Sequence, residues 1–178
     1  MVYMILTRDV ILAAIKAGKM AIDPFHEEAL ESASYNVTLH HQIRVFMEGL
    51  NEIDVATVAK DANSIAEITR VVDMPADGYY LLKPGELVLG ITEEMIRLPQ
   101  DIAGWINGRS RYARMGLMIH ITASFLQPGS NNRQVFEIYN ASRNAIKLRP
   151  GISIAQLVFE RCEGKAQYQG VFKSQKEI

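Results

Sequence analysis

One cysteine, Cys162, is all the thiol this 178-residue chain contains. No internal disulfide can form from it, and a Cys-x-x-Cys metal or redox motif has no material. No apolar run approaches the length that crosses a bilayer, and Met1–Leu6 is too short for a signal core, so a cytoplasmic protein without a targeting segment is expected. Charge of one sign is also missing. The net charge is −1 and the pI about 6.4, which gives no global pull toward nucleic acid or a membrane surface, so any anion binding must be local. Walker and Rossmann glycine loops are absent. So is the Gly-x-Ser-x-Gly elbow of a serine nucleophile.

Metal chemistry is poorly supplied as well. The four histidines, His26, His40, His41 and His120, lack a His-x-Glu or Cys-x-x-Cys companion, so the zinc-bound hydroxide of zinc nucleobase deaminases has no ligands and no zinc is expected. His40 and His41 are adjacent in a strand pattern, where neighbours face opposite ways. They read as one exposed and one satisfied residue rather than a ligand pair.

What is present is a β-rich pattern in a chain long enough for one domain, residues 1–178, which at this size buries about 70% of its unfolded surface. Thr7 to Lys19 reads as an amphipathic helix with Val10, Ile11, Ala14 and Ile15 on one stripe and Gly18 as its stop. From Tyr35 to Phe46 the period becomes two, as in a half-buried strand or strand pair. Residues 50–72 fit neither period. Tyr79–Leu82 and Leu87–Ile91 flank Lys83-Pro84-Gly85-Glu86, a type II turn signal that recurs at Arg149-Pro150-Gly151. Strand signals at Leu117–Thr122, Arg133–Asn140, Ala145–Leu148 and Ile152–Phe159 follow closely with no helix between them. This spacing predicts an antiparallel sandwich or barrel rather than a βαβ fold.

Two features carry chemistry. The first is Gly108-Arg109-Ser110-Arg111-Tyr112-Ala113-Arg114-Met115-Gly116, three guanidinium groups and a hydroxyl between two glycines. Gly108 permits a turn, Ser110 can cap a short helix, and Arg111 and Arg114 lie near one helix face, an arrangement suited to polyphosphate. A surface turn of solvated arginines is the alternative. The second is Glu137, in the middle of an apolar strand, where alternation sets Val135, Glu137 and Tyr139 against Phe136 and Ile138. A carboxyl there is paired, hydrated in a cleft, or raised in pKa and suited to proton transfer; an outward-facing Glu on a half-exposed strand is the plainer reading. His120 borders a base pocket or is a hydrogen-bonded core residue.

The spaced set Gly108-Arg109-Ser110, Ala113-Arg114, Gly116-Leu117-Met118, His120, Thr122-Ala123, Phe136-Glu137-Ile138-Tyr139-Asn140 and Leu148-Arg149-Pro150-Gly151 resembles the dCTP deaminase branch of the trimeric dUTPase-like family. Ile22-Asp23-Pro24, Ala33–Leu39 and Lys83-Pro84-Gly85-Glu86 extend the resemblance over most of the chain. It implies a mainly β, distorted barrel or jelly-roll with short helices, assembled as a homotrimer with sites between subunits. The implied reaction is deamination of dCTP to dUTP and ammonia without a protein-bound metal, with Mg2+ arriving on the triphosphate. Glu137 matches the family's water-activating Glu, and Ser110 and Arg114 match residues that position water and polarise the site. Arg109 and Arg111 are then turned toward phosphate, and Gln156 matches a phosphate-region Gln. Ala123 offers its backbone to the base, and His120 and Val135 border the substrate. Lys165, Tyr168 and Gln169 match a tail that closes over the triphosphate.

The pattern also departs from the family. Arg111 stands where a second Ser is usual, and Gln127 stands where an Asp contacts the sugar 3′-hydroxyl and serves dUTPases as base. Ser130-Asn131-Asn132 replaces an aromatic-plus-Gly turn, and the tail carries Gln167 and Val171 where Lys and Gln are usual. Gln127 cannot take a proton, which speaks against diphosphatase activity. A bifunctional deaminase and diphosphatase, or a nucleotide-binding relative without turnover, are the alternatives.

Overall fold

The computed structural model describes residues 4–50, 52–59, 62–173 and 175–178. The first three residues of the Met1–Leu6 stretch, and residues 51, 60 and 61 of the ambiguous 50–72 stretch, lie outside them.

Helix α1 (Arg8–Lys16) starts after Thr7, as the pattern predicts, and its turn closes with Gly18 at φ +67°. Ile11 is fully buried, with Leu12, Ala14 and Ile15 packed on the core, whereas Val10 is exposed. Thr7 makes no side-chain cap and bonds Asp9 instead.

The rest is sheet. Strands β1 (Ala21–Asp23), β2 (Tyr35–Phe46), β3 (Thr69–Asp73), β4 (Tyr80–Leu82) and β5 (Leu87–Arg97) precede β6 (Ile102–Gly108), β7 (Leu117–Ile119), β8 (Phe125–Leu126), β9 (Asn131–Asn140), β10 (Ile146–Leu148) and β11 (Ser153–Arg161). Short helices α2 (Val55–Val58) and α3 (Ser110–Ala113) interrupt them. The main sheet runs β7-β9-β5-β2-β11-β6-β8, with β1 on β5 and β3 on β2, while β4 and β10 pair separately. Every pairing is antiparallel.

Strand β2 lets this sheet curl. Its first residues, Tyr35–Thr38, pair with β11, and its second half pairs with β5 and β3. Between the halves the ladder bulges: Leu39 to Ile43, four steps of β2, runs opposite Thr92 to Gly90, two steps of β5. Strand β5 bulges likewise against β9, Ile91 to Met95 opposite Val135 to Arg133. Bulges bend a strand and sharpen its twist, which carries one sheet around a single core. That core holds Tyr35, Ile43, Ile106, Phe136, Ile138 and Phe159, all fully buried. Gly90 lets the core pack closely against β5, since a Cβ there would lie 2.8 Å from the Ile138 side chain and 2.9 Å from that of Leu39. Within the β5 bulge Glu94 is buried, and both its carboxylate oxygens accept the Thr38 N–H, at 3.1 and 3.0 Å.

The antiparallel expectation therefore stands, with differences in extent. The apolar segment expected over Leu117–Thr122 is a strand only to Ile119, because His120 turns into the left-handed region at φ 53°. Strand β6 has no counterpart in the strand readings. It is buried at Ile102, Ala103 and Gly104 and alternates only from Trp105 to Asn107, so its period is short, and Gly104 and Gly108 dilute its apolar signal.

Candidate active site

The basic loop is built differently from the sequence expectation. Gly108 ends β6 at negative φ, and the left-handed glycine is Gly116, at φ +80°. A Cβ on Gly116 would lie 2.8 Å from that of Ser142. Ser110 does not cap α3, because Arg109 occupies the cap position in extended conformation and Ser110 is the first helical residue.

Arg109 points inward. Its Nη1 donates to the Ser153 carbonyl at 2.9 Å and hydroxyl at 2.6 Å, and its Nη2 lies 3.9 Å from the Glu31 carboxylate. Arg111 and Arg114 are exposed, and neither side chain makes a hydrogen bond or ion pair with the described residues. The loop borders a cleft of about 460 Å³ lined by Arg109, Ser110, Arg111, Gln156, Ser34 and Asn36, with Glu31 at its side. The Gln156 side chain accepts from the Ser34 hydroxyl at 3.3 Å and donates to the Gly108 carbonyl at 3.4 Å. The Asn36 amide donates to Glu31 at 2.9 Å, while its buried Oδ1 has no partner. Glu31, Ser34 and Asn36 are functional candidates that sequence reasoning missed. Ala33–Leu39 was part of the family resemblance, but only the β2–β11 register brings it beside Arg109.

The second group forms around Glu137. On β9, Val135, Glu137 and Tyr139 are half-buried while Phe136 and Ile138 are buried, as the alternation predicts. Of the possible fates for this carboxylate, the structure shows pairing. Glu137 Oε2 meets His120 Nδ1 at 2.6 Å and accepts the Ile121 N–H at 3.2 Å, and Oε1 accepts the Thr122 hydroxyl. Burial pushes this carboxyl up, but the Thr122 hydroxyl, a backbone N–H and His120 together hold it below the ordinary glutamate value. It is thus a carboxylate at neutral pH, able to accept a proton, rather than a raised acid. His120 is a hydrogen-bonded, mostly buried residue beside Glu137. Its backbone N–H donates to the Glu137 carbonyl at 2.8 Å, which holds the left-handed turn and aims Nδ1 at the carboxylate. Thr122 is the other residue whose role no motif disclosed.

These two groups are not joined within one chain. Among the described residues no hydrogen bond or ion pair links Ser110 or Arg114 to Glu137, and Glu137 does not line the cleft. Ala123 and Gln127 are exposed on the segment after His120, the Gln127 carbonyl accepting the Ser130 N–H at 3.3 Å. The tail lies elsewhere. Tyr168 N–H donates to the Pro128 carbonyl at 3.0 Å, Gln167 bonds Gly129 at 2.8 Å, and Lys165 and Gln169 are exposed. None of Lys165, Tyr168 and Gln169 lines the cleft.

His40 and His41 are one satisfied and one exposed residue as expected, His40 buried and accepting the Gln42 N–H and His41 exposed, but they do not face opposite ways: the β2 bulge sets their rings 4.0 Å apart.

A curled antiparallel sheet with an arginine-lined cleft and a separately held, ionised carboxylate defines a protein equipped for an anionic ligand and proton transfer. The chain belongs to the dCTP deaminase-like family, whose model matches residues 5–162. It is 37% identical over 155 residues to a dCTP deaminase of Shewanella amazonensis, covering 85% of this chain and 80% of that one. It is 36% identical over 164 residues to a dUMP-forming dCTP deaminase of Beutenbergia cavernae, covering 92% and 83%. The fold matches the crystal structure of a 2'-deoxycytidine 5'-triphosphate deaminase from Agrobacterium tumefaciens with a TM-score of 0.68 at 19% identity. That match covers 89% of this chain and spans about half, 48%, of the other.

Proposed function

We propose that this chain hydrolyses the 4-amino group of the cytosine base in dCTP, giving dUTP and ammonia. The observation that carries the reading is Glu137, an ionised carboxylate with its lone pairs aimed by three donors. Glu137 takes a proton from water as the water oxygen bonds to C4, and the C4–N bond then breaks as that proton passes to the leaving amine. One water enters and one ammonia leaves, so atoms balance. A fixed base of this kind contributes about 10²- to 10⁴-fold, and dipoles positioned before the reaction supply more. Ser110 and Arg114 orient the water and polarise the base. His120, Ala123 and Val135 border it, and Gln127 faces the sugar as a hydrogen-bonding group without basicity.

The Arg109–Arg111–Gln156 cleft takes the triphosphate. Its one carboxylate, Glu31, is outnumbered by guanidinium groups, so the donor set suits a magnesium triphosphate that brings its own cation. Zinc has no part in the reaction. Because Ser110 and Arg114 do not reach Glu137 within one chain, the complete site is assigned to a junction between copies in a homotrimer. The exposed Met115, Met118 and Ile121, which flank the Glu137 turn, supply apolar surface for such a contact. Lys165, Tyr168 and Gln169 then close over the triphosphate of a neighbouring site. A single free thiol, Cys162, suits the reducing cytoplasm where nucleotide pools lie.

Incubation with dCTP, CTP, dCMP and dUTP in the presence of magnesium, with products separated by chromatography, tests the reading. Deoxyuridine triphosphate from dCTP is the expected product. Direct dUMP, with pyrophosphate released from dUTP, selects the bifunctional alternative. Tight dCTP binding with no product selects the relative without turnover.

A further inference from the structure

The bulges that curl the sheet also gather side chains that the deamination chemistry does not use. Leu39 to Ile43 loops out of β2 opposite β5, and β5 itself loops out between Ile91 and Met95. An ordinary pleat would send His40 and His41 to opposite faces. The bulged backbone instead brings both rings to one place, centroids 4.0 Å apart and planes at 35°, and the β5 bulge adds Glu93. Bulges re-aim side chains, and here two of them converge. Ligand atoms of His40, His41 and Glu93 all lie within 4.8 Å of one another. His40 Nε2 is 3.7 Å from Glu93 Oε2, and Asp73 of β3 stands 3.8 Å from His41 Nε2.

We propose that His40, His41 and Glu93 form a binding site for one divalent transition-metal ion, separate from the deamination site. Two imidazoles and a carboxylate are an N₂O donor set of the kind zinc accepts, with water or Asp73 completing four-coordination. Tetrahedral zinc, at about 2.0–2.2 Å from each donor, sets donors roughly 3.3–3.6 Å apart. The His40–Glu93 separation is already close to that. His41 and Glu93 are about half exposed, so they have room to close the remaining distance, while the buried His40 is the fixed point.

The charges around His40 are mixed. His41 from its own strand and Arg133 from β9 disfavour a cation, and Glu93 from β5 and Asp73 from β3 favour one. The two carboxylates outnumber the one guanidinium, which tips the local field toward a cation. The Gln42 N–H donates to His40 Nδ1 at 3.2 Å, which leaves the ring proton on Nε2, facing Glu93. An ion at Nε2 replaces that proton, the ring carries it on Nδ1, and the long Gln42 bond is given up. The site is therefore one of moderate affinity, and Gln42 reports its filling. No member of the cluster lines the arginine cleft or bonds Glu137, so the ion acts on the bulged strands and not on the substrate.

Titration of the full chain, first stripped with chelator, with zinc chloride in a calorimeter tests the proposal. One ion per chain is expected, together with a shift of the Gln42 backbone amide resonance. His41→Ala and Glu93→Gln should each weaken binding by about 10- to 100-fold, while His26→Ala leaves it unchanged. Deamination by His41→Ala should match the parent. Because His41 and Glu93 are exposed, at least one of these variants folds, which circular dichroism verifies. Absence of saturable zinc uptake, or uptake unaltered in both variants, overturns the proposal, as does zinc binding that leaves the Gln42 amide unmoved.

Discussion

Replacing Glu137 by Gln keeps the shape of the side chain and removes its capacity to take a proton. The surroundings indicate how much else changes. Glu137 accepts from His120 Nδ1 at 2.6 Å, from the Ile121 N–H at 3.2 Å and from the Thr122 hydroxyl. The Gln amide oxygen can keep two of these, and the Thr122 hydroxyl can turn to accept from the new amide, so one charge-assisted set becomes a neutral one. That costs about 1 kcal/mol of stability, too little to unfold the chain. Loss of the base removes about 10²- to 10⁴-fold from kcat, or about 2.7–5.4 kcal/mol of transition-state stabilisation. Glu137 does not line the arginine cleft, so triphosphate binding should change less than about threefold, under about 0.7 kcal/mol. Single-turnover release of ammonia gives the first quantity and calorimetry with dCTP the second. A variant that turns over within tenfold of the parent removes Glu137 as the base. One that loses binding and rate together makes Glu137 a substrate-holding residue instead.

Three further perturbations probe the parts around it. The Thr122 hydroxyl is the largest of the groups holding the Glu137 carboxyl low against burial, so Thr122→Val should raise that pKa. The acid limb of the kcat/KM profile then moves to higher pH, because a carboxylate with a depressed pKa stays charged until pH falls through the depressed value, and the variant protonates earlier; an unmoved limb contradicts the assignment. Glu31→Gln removes the negative charge 3.9 Å from Arg109; since Glu31 is half exposed, the effect is a fall in KM for dCTP of up to about fivefold, smaller for dCMP and smaller at high salt. Gly90→Ala would set a Cβ 2.8 Å from Ile138 and 2.9 Å from Leu39 and should cost about 1–3 kcal/mol in denaturant unfolding, with KM little altered in the folded fraction.

Strand β2 was legible in its bounds, Tyr35 to Phe46, because Val37, Leu39, Ile43 and Val45 keep a period of two and are all buried. The Lys83–Glu86 turn was legible for a similar reason, since Gly85 at φ +75° is a local requirement with a local signature. What alternation could not show was a bulge. Nothing in the letters His40-His41 states that β2 spends four steps against two of β5, so two rings expected on opposite faces meet on one. Strand β6 escaped because its first three residues are all buried and only Trp105 to Asn107 alternate, too short a run to read a period.

The site divides along the same line. Ser110, Arg114 and Glu137 stood out as residue types in context, and Glu137 lies on the half-buried face that the period assigns. Its partners His120 and Thr122, and the cleft residues Glu31, Ser34 and Asn36, depend on register between distant segments. The inward turn of Arg109 onto Ser153 depends on it too. Spacing along the chain carries no record of such contacts.

The central claim is hydrolysis at C4 of the cytosine base by this chain. The most direct measurement is turnover of dCTP in water enriched in heavy oxygen, with the nucleotide product analysed by mass spectrometry and ammonia determined in the same sample. The account predicts dUTP carrying one heavy oxygen on the uracil ring, in equal amount to the ammonia released, and a rate about 10²- to 10⁴-fold lower for both from the Glu137→Gln variant. Label confined to the phosphates, or unlabelled dCTP recovered from a folded, nucleotide-bound protein, would contradict it.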